Sequence, residues 1–228
     1  PRFTHRRQRQ MCIRDRITSR CDLYGPNKWP DIPEFRQSLL RYWRECDRVS
    51  HILLRALAEI MGIEPQNFLR KFEYPLTNMT LLHYPPQANT EEGFGIHPHK
   101  DTDALTILAP DPVGGLQVKR RDTEDWLSVG PVGNALIVNI GDMLELWSGG
   151  YFRSTPHKVV NLSGIARYSF PYFAVPRFDI VIDSLVKPQP GFIRESVHAG
   201  DISREVWRNN WPDAVPRDPQ LDLGRLDN

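Results

Sequence analysis

The sequence is poor in cysteine, nearly neutral in charge and without long apolar runs, and each of these absences excludes a class of protein. Its three cysteines lie near the start of the chain and are an odd number, so neither a disulfide framework nor a CxxC metal site is available. No run approaches the roughly 18 apolar residues of a membrane span, and the first residues lack the apolar stretch of a secretory signal. We therefore expect a cytoplasmic protein with no membrane partner.

The balance of charge argues against a nucleic-acid partner. Lys and Arg number 29 against 28 Asp and Glu, which gives a formal net charge of +1 and no whole-chain field that would attract a polyanion. Residues 1–20 hold seven arginines against one acid, Asp15, so the remainder of the chain is mildly acidic. The same twenty residues have no pattern of apolar positions, and we interpret them as an extraneous or disordered tail.

A long amphipathic helix is predicted beyond this tail. Asp31 can cap it and Pro33 can help begin it. Apolar residues then recur in steps of three or four up to Gly62, and a left-handed glycine commonly ends a helix. A shorter helix is predicted over about 65–72. We group residues 21–78 as one helical segment.

From Met79 onward the pattern changes to short apolar or alternating runs separated by turn residues, which is typical of strands. This number of strands suits a jelly roll or barrel better than a parallel sheet with crossover helices. The predicted fold class is therefore mainly β with flanking helices. Residues 79–228 are expected to form one domain with a C-terminal segment that includes a helix over about 200–209. The predicted strands cover residues 79–84, 104–109, 115–119, 126–129, 135–140, 155–160, 167–174 and 178–182.

One triplet carries the donor atoms of a metal site. His99 and Asp101 are two residues apart, so on an extended segment both side chains project to the same side. A distant His157 could complete a set of two histidines and one carboxylate. Such a set occupies one face of an octahedral metal and leaves the opposite face open, as non-haem Fe(II) chemistry requires. Taken alone, the triplet could equally be an exposed loop.

The surrounding motifs give the triplet a context. Residues 99–108 read HKDTDALTIL, residues 153–160 read RSTPHKVV, and residues 167–169 read RYS. In these motifs and in their spacing, the sequence from about Asn27 to Asn210 resembles the isopenicillin N synthase-like branch of the 2-oxoglutarate/Fe(II) dioxygenases. The resemblance implies a double-stranded β-helix core, that is, a cupin-like jelly roll. It also implies that His99, Asp101 and His157 are both the catalytic and the metal-binding residues.

A second pair of residues is predicted to bind the co-substrate. Arg167 and Ser169 alternate on a predicted strand and would face the same interior side, where a guanidinium and a hydroxyl can bind one carboxylate. A core ion pair is the simpler interpretation of Arg167 alone. The resemblance implies instead that the pair holds the distal carboxylate of 2-oxoglutarate. Tyr84 matches the tyrosine of the family's NxY motif, although Leu82 stands where that motif has asparagine.

The resemblance also sets the expected function. It implies Fe(II), 2-oxoglutarate as co-substrate and O₂, with hydroxylation, desaturation or cyclisation of a small-molecule substrate. Leu82 keeps open an Fe(II) oxidase of the same fold that does not use 2-oxoglutarate, and a non-catalytic small-molecule-binding relative is a further alternative. We expect residues 21–78 to be the remnant of a longer N-terminal region, and we expect a monomer. Two other potential donors, His97 and Asp103, are expected to support the site or to be exposed.

Overall fold

The computed structural model describes residue 27 and residues 29–86, 94–123, 125–160 and 163–210. The first helix, α1 (Phe35–Ile60), buries one face at steps of three and four residues, from Trp43 to Ala58. It ends before Gly62, whose φ of 70° confirms the predicted left-handed stop. The predicted cap is wrong: Asp31 lies in a bend before the helix, and Glu34 occupies the N-cap without a side-chain hydrogen bond. Pro33 disfavours helical backbone at the residue before it, so the helix begins later.

The second predicted helix is also present. α2 (Pro65–Leu69) continues into a 3-10 turn over Arg70–Phe72. Its N-cap, Glu64, accepts a hydrogen bond from the backbone N–H of Gln66, and Pro65 begins the helix at the position where a missing N–H costs least. Residues 65–72 therefore form one short rigid unit after α1.

Twelve strands and two further helices follow in the part of the chain that the structure describes. The elements, in order, are β1 (Asn78–Met79), β2 (Leu82–Tyr84), β3 (Phe94–His99), β4 (Leu105–Leu108), β5 (Leu116–Lys119), β6 (Trp126–Val129), β7 (Ile137–Ile140), α3 (Asp142–Trp147), β8 (His157–Val160), β9 (Arg167–Ser169), β10 (Tyr172–Ala174), β11 (Val181–Ile182), β12 (Val197–His198) and α4 (Ala199–Asn210). Each predicted strand contains a strand of the structure. β3, β12 and α3 were not predicted.

The strands form two four-stranded antiparallel sheets, in the orders β1-β10-β4-β7 and β3-β8-β5-β6, with β2-β9 and β11-β12 as separate pairs. The sheets face each other, because side chains from both pack in one small cluster that includes Leu108 of β4 and Val159 of β8. This arrangement is the predicted jelly roll, mainly β with flanking helices.

A larger hydrophobic cluster lies on the opposite side of the first sheet. Strand β4 divides its side chains between the two interiors, as alternation requires: Leu105 and Ile107 join the larger cluster, whereas Thr106 and Leu108 face the space between the sheets. Side chains of α1, α2 and α3 cover this cluster. The helices thus cover one face of the first sheet, and the other face of that sheet lines the space between the two sheets.

Two predictions about organisation stay predictions. The boundary at residue 78 is not tested by the packing, and the predicted tail of residues 1–20 lies outside the described residues. Among the helices of the described ranges, none is both long enough and apolar enough to cross a membrane.

The packing of α2 on α3 generates a stability prediction. Phe68 is fully buried, with its ring centroid 5.1 Å from that of Trp147 and 5.8 Å from that of Phe72. We expect Phe68→Ala to lower the free energy of unfolding by about 3–5 kcal/mol, because it removes an aromatic ring from a closed core. Ile60→Ala, at a position 62% exposed, should change it by less than about 0.5 kcal/mol. Equal losses in urea unfolding would contradict a core shared by α2 and α3.

Candidate metal centre

Three potential metal ligands converge at one end of the space between the sheets. His99 ends β3 and His157 begins β8, and the antiparallel pairing of these strands places the two histidines opposite each other. Asp101 follows two residues after His99. One ligand atom from each of the three side chains lies within 4.8 Å of the others. Two segments that are far apart in sequence therefore supply a single cluster of donors.

Both imidazole rings present Nε2 to the cluster. His99 Nδ1 lies 2.8 Å from the carbonyl oxygen of His97, and His157 Nδ1 lies 3.2 Å from that of Thr155. A carbonyl can only accept, so Nδ1 carries the proton in each ring and Nε2 keeps its lone pair. The two Nε2 atoms lie 3.7 and 3.5 Å from Oδ1 of Asp101. Burial, together with the electrostatic effect of the nearby His157, lowers the pKa of His99. The neutral form, which can bind a metal, is therefore favoured.

Hydrogen bonds to its other oxygen fix the orientation of Asp101. Oδ2 accepts from the Thr106 hydroxyl at 2.6 Å and from the Asn139 amide at 2.7 Å. Oδ1 is left facing the two histidines. The carboxylate is therefore prepared to offer one oxygen to a metal, while the second oxygen stays bound to the sheet formed by β4 and β7.

Asp103 supports this arrangement from behind. Its Oδ2 lies 2.9 Å from the same Thr106 hydroxyl, which has one proton and cannot donate to two carboxylates. Burial, together with the nearby charge of Asp101, raises the pKa of Asp103 well above its usual range. A protonated Asp103 can donate to Thr106, which then donates to Asp101. His97, by contrast, has an exposed side chain, and neither residue joins the cluster of donors.

The donor set fits Fe(II). Two imidazole nitrogens and one carboxylate oxygen, without thiolate, suit a metal that also binds oxygen ligands and O₂, and three ligands from one side leave coordination positions open on the other. Asp101 is 7% exposed, so the carboxylate is held in a poorly solvated place where a cation would compensate its charge.

A cavity of about 80 Å³ extends from these residues between the sheets. At its wall, β2 pairs with β9 so that Tyr84 stands opposite Arg167 and Leu82 opposite Ser169. The guanidinium carbon of Arg167 lies 4.9 Å from the centroid of the Tyr84 ring. The cavity is lined by Leu82, Tyr84, Ile96, His99, Asp101, Thr106, Leu108, Leu116, Ile137, His157, Val159, Arg167, Ser169, Pro171 and Phe173. The six residues selected from the sequence thus line one cavity.

Two polar atoms of this wall are buried without a hydrogen-bond partner: Nη1 of Arg167 and the hydroxyl of Tyr84. Arg167 is only 2% exposed, and no acid forms an ion pair with it among the salt bridges of the described residues. Within the described residues, Arg167 therefore has no core ion pair. A buried guanidinium whose charge is not compensated is costly, and the free Nη1 indicates that an anionic ligand completes the site. Burial also raises the pKa of Tyr84 to about 12, so its hydroxyl stays protonated and can donate.

The loop between β4 and β5 holds Arg167 in place. Arg167 Nε donates to the carbonyl oxygen of Gly114 at 2.6 Å. Gly114 and Gly115 have φ values of 77° and 86°, and a Cβ at Gly115 would overlap the carbonyl oxygen of Val160. Asp111 ties the same loop to β9 by accepting from the backbone N–H of Tyr168 at 2.8 Å.

Sequence reasoning did not identify Thr106, Asn139 and Asp111 as parts of the site. A signal was present for the first two, because each is a single polar residue inside an otherwise apolar run, Leu105–Leu108 and Ile137–Ile140. A polar side chain in such a position needs a partner. Asp111 carried no comparable signal, since acids are common in turns.

The hydrogen bonds of Asp101 generate a first prediction for the site. Thr106→Val keeps the shape of the side chain but removes the donor to Asp101, so we expect about tenfold weaker binding of Co(II), measured by calorimetry. Thr106→Ser keeps the hydroxyl and should bind nearly as tightly as the parent protein. Equal affinities of the valine variant and the parent would show that the hydroxyl does not orient the carboxylate.

The loop at Arg167 generates a second prediction, on stability. Gly114→Ala should cost about 1–2 kcal/mol, because the left-handed backbone is unfavourable for a residue with a Cβ. Gly115→Ala should cost more, since its Cβ also meets the Val160 carbonyl, whereas no atom lies within 4 Å of a Cβ at Gly114. Urea unfolding of the two variants compares them, and an equal cost would contradict the close approach of this loop to β8.

Comparison with known proteins agrees with the fold. The family model of the 2OG-Fe(II) oxygenase superfamily matches residues 74–176, a range that contains the six residues selected from the sequence. The chain is 36% identical over 167 residues to the 2-oxoglutarate-Fe(II) type oxidoreductase of Aspergillus fumigatus, a match that covers 71% of this chain and 50% of the relative. The chain therefore spans about half the length of that relative.

Solved structures give the same result. A full-length Neurospora crassa protein in complex with alpha-KG superposes with a TM-score of 0.72 at 26% identity, covering 80% of this chain and 61% of that one. A protein of Shewanella oneidensis described as an oxygenase is 30% identical with a TM-score of 0.58, covering 82% of this chain and 69% of the other. Sequence motifs, jelly-roll topology and these likenesses coincide, and the chain belongs to the 2OG-Fe(II) oxygenase superfamily.

Proposed function

We propose that this protein is a non-haem Fe(II) oxygenase that couples the oxidative decarboxylation of 2-oxoglutarate to the hydroxylation, desaturation or cyclisation of a small molecule. The observation that carries the proposal is that one cavity is lined both by a His-Asp-His set and by a buried Arg167 whose Nη1 has no hydrogen-bond partner. A dicarboxylate with a 2-oxo group can bind a metal at the His-Asp-His set through one end and Arg167 through the other. The superfamily's use of Fe(II), 2-oxoglutarate and O₂ supports this assignment.

In this proposal, His99, Asp101 and His157 hold Fe(II). Bound iron supplies the activation of O₂ and the oxidation of the substrate, together with the decarboxylation of 2-oxoglutarate. The contribution of the protein is geometry: the Nδ1 hydrogen bonds aim both rings, and Thr106 and Asn139 keep Asp101 bound through one oxygen. The remaining positions of the metal stay open for the co-substrate and O₂.

Arg167, Ser169 and Tyr84 bind the distal carboxylate of 2-oxoglutarate in this proposal. The guanidinium supplies the charge through its unpaired Nη1, and the two hydroxyls can each donate a hydrogen bond. Fe(II) and Arg167 together carry three positive charges, which balance the three negative charges of Asp101 and 2-oxoglutarate. Either ligand alone would leave two uncompensated charges in this buried site, so the binding of one favours the binding of the other.

The apolar residues that line the cavity limit the access of water to the site. Leu82, Leu108, Leu116, Ile137 and Val159 surround the polar groups with apolar side chains, which strengthens the electrostatic contacts between them. Leu82 offers no hydrogen bond where the family motif has asparagine. Contact with 2-oxoglutarate on this side of the cavity is therefore apolar, and anchoring depends correspondingly more on Arg167.

We propose further that the substrate is a small molecule rather than a nucleic acid, that the protein is a monomer, and that it acts in the cytoplasm. The near-neutral charge supports the first statement. The buried free thiol of Cys46 is compatible with a reducing compartment.

The experiment is an anaerobic titration of the apo-protein with Fe(II) and then 2-oxoglutarate, following the weak visible charge-transfer band of an iron-chelated 2-oxo acid. We expect the parent protein to develop the band. His157→Ala should abolish it, because one of three ligands is gone. Arg167→Ala should require about a hundredfold more 2-oxoglutarate, since a desolvated charge pair is lost. His97→Ala is the matched control, an exposed histidine of the same strand as His99, and should keep the band.

Two outcomes would contradict the proposal. If Fe(II) binds but 2-oxoglutarate produces no band, the Fe(II) oxidase that does not use 2-oxoglutarate becomes the better account. If the folded parent protein does not bind Fe(II), the metal site is wrong, and binding of a small metabolite would then favour a non-catalytic relative.

A further inference from the structure

Helix α3 carries a buried carboxylate that three cations share. Glu145 is 3% exposed. Its Oε1 lies 3.6 Å from Arg153 Nη1, and its Oε2 lies 3.4 Å from Lys100 Nζ and 3.1 Å from Arg194 Nη2. The cationic side chains remain 32–43% exposed, so the acid is the buried centre of the cluster and the cations are its rim.

The cluster joins the two segments that carry the candidate metal ligands. Lys100 lies between His99 and Asp101 in sequence, and Arg153 lies four residues before His157. One oxygen of Glu145 contacts the first segment and the other contacts the second. The carboxylate therefore links side chains of the two segments.

The backbone of α3 reinforces the connection to the first segment. The N–H of Asp142 donates to the carbonyl oxygen of Asp101 at 2.8 Å, and the N–H of Met143 donates to that of Asp103 at 3.0 Å. The Asp142 side chain also lies 3.8 Å from Lys100. The second segment is tied to the end of α3 by the N–H of Phe152, which donates to the Ser148 hydroxyl at 3.0 Å, but the only ion pair of Arg153 among the described residues is with Glu145. Among the ion pairs of the described residues, Arg153 thus has Glu145 alone, whereas Lys100 also has Asp142.

Arg194 brings a third segment to the same acid. The chain before it lies along the turn after α3, where the N–H of Gln189 donates to the carbonyl oxygen of Gly149 at 2.8 Å. Gly150 has a φ of 80° and no room for a Cβ because the Phe192 ring covers it. Arg194 also lies 3.9 Å from Asp142. The segment packs closely on the turn that leads towards Arg153.

We propose that Glu145 is a positioning residue that ties the chain after His99 to the chain before His157, beyond the last pair of the β3–β8 ladder, and so helps the ladder to prepare the metal site before the metal binds. The inference rests on the proposed function of the site. Without the carboxylate, Lys100 and Arg194 would keep only Asp142, and Arg153 would lose the one ion pair that it has among the described residues. Metal binding would then also have to bring the donor atoms together, and this would lower the affinity for the metal.

The test measures Co(II) binding to the full chain without 2-oxoglutarate, by calorimetry and by the visible d–d spectrum of the bound ion. Glu145→Gln should weaken binding about tenfold and alter the spectrum of the residual complex. Arg153→Met, at an exposed position where the substitution leaves the core intact, should weaken it as well, by a smaller factor. Because both variants break one link, the double variant should bind about as weakly as Glu145→Gln alone.

A matched control separates charge from position. Glu59→Gln removes the same charge from an exposed site on α1 and should leave both the Co(II) affinity and the spectrum unchanged. If Glu145→Gln lowers the melting temperature while its affinity and spectrum match those of the parent protein, Glu145 is only structural and the inference is overturned. If Glu145→Gln does not fold, an unchanged affinity of Arg153→Met overturns it instead.

The failure of the inference is distinguishable from that of the proposed function. A parent protein that binds Co(II) together with variants of equal affinity removes the role of Glu145 and leaves the metal site intact. A folded parent protein that does not bind Co(II) removes the metal site, and the positioning role falls with it.

Discussion

The antiparallel pairing of β3 with β8 is the constraint on which the rest of the site depends. It places His99 opposite His157 across a register that contains two irregularities, and so brings together two residues that are far apart along the chain. The ladder fixes the separation of the two rings, whose centroids lie 4.3 Å apart. Everything else in the cavity is arranged around that fixed pair.

Asp101 is outside the ladder and is secured in a different way. It follows the end of β3, and its position comes from hydrogen bonds to the side chains of β4 and β7 and from the backbone N–H of Asp142, the first residue of α3. The helices that cover the large hydrophobic cluster therefore influence the site indirectly, because they fix the sheet and the short helix to which the carboxylate is bound. Core packing and metal-site geometry are parts of one arrangement.

The sequence predicted the fold and the donors because both leave local patterns. Alternating apolar runs marked most strands, and motif spacing marked His99, Asp101, His157 and Arg167. β3 was missed because Gly95 and Pro98 interrupt its apolar pattern, and α3 was missed because six residues are too few for helical periodicity to be visible. The contacts of Glu145 with Lys100 and Arg153 could not be predicted either, since they depend on three-dimensional proximity rather than on spacing along the chain.

The hydrogen bonds of the two imidazole rings have a further meaning. Each ring is bonded to a carbonyl two residues earlier in its own segment, His97 for His99 and Thr155 for His157. The orientation of each imidazole ring is thus set within a segment of three residues, and the pairing of the strands has only to bring the two oriented rings to the right distance. A local fluctuation that separates the two strands would move the donors apart without changing the orientation of either ring. The site would then re-form when the strands pair again, with no search over side-chain rotamers.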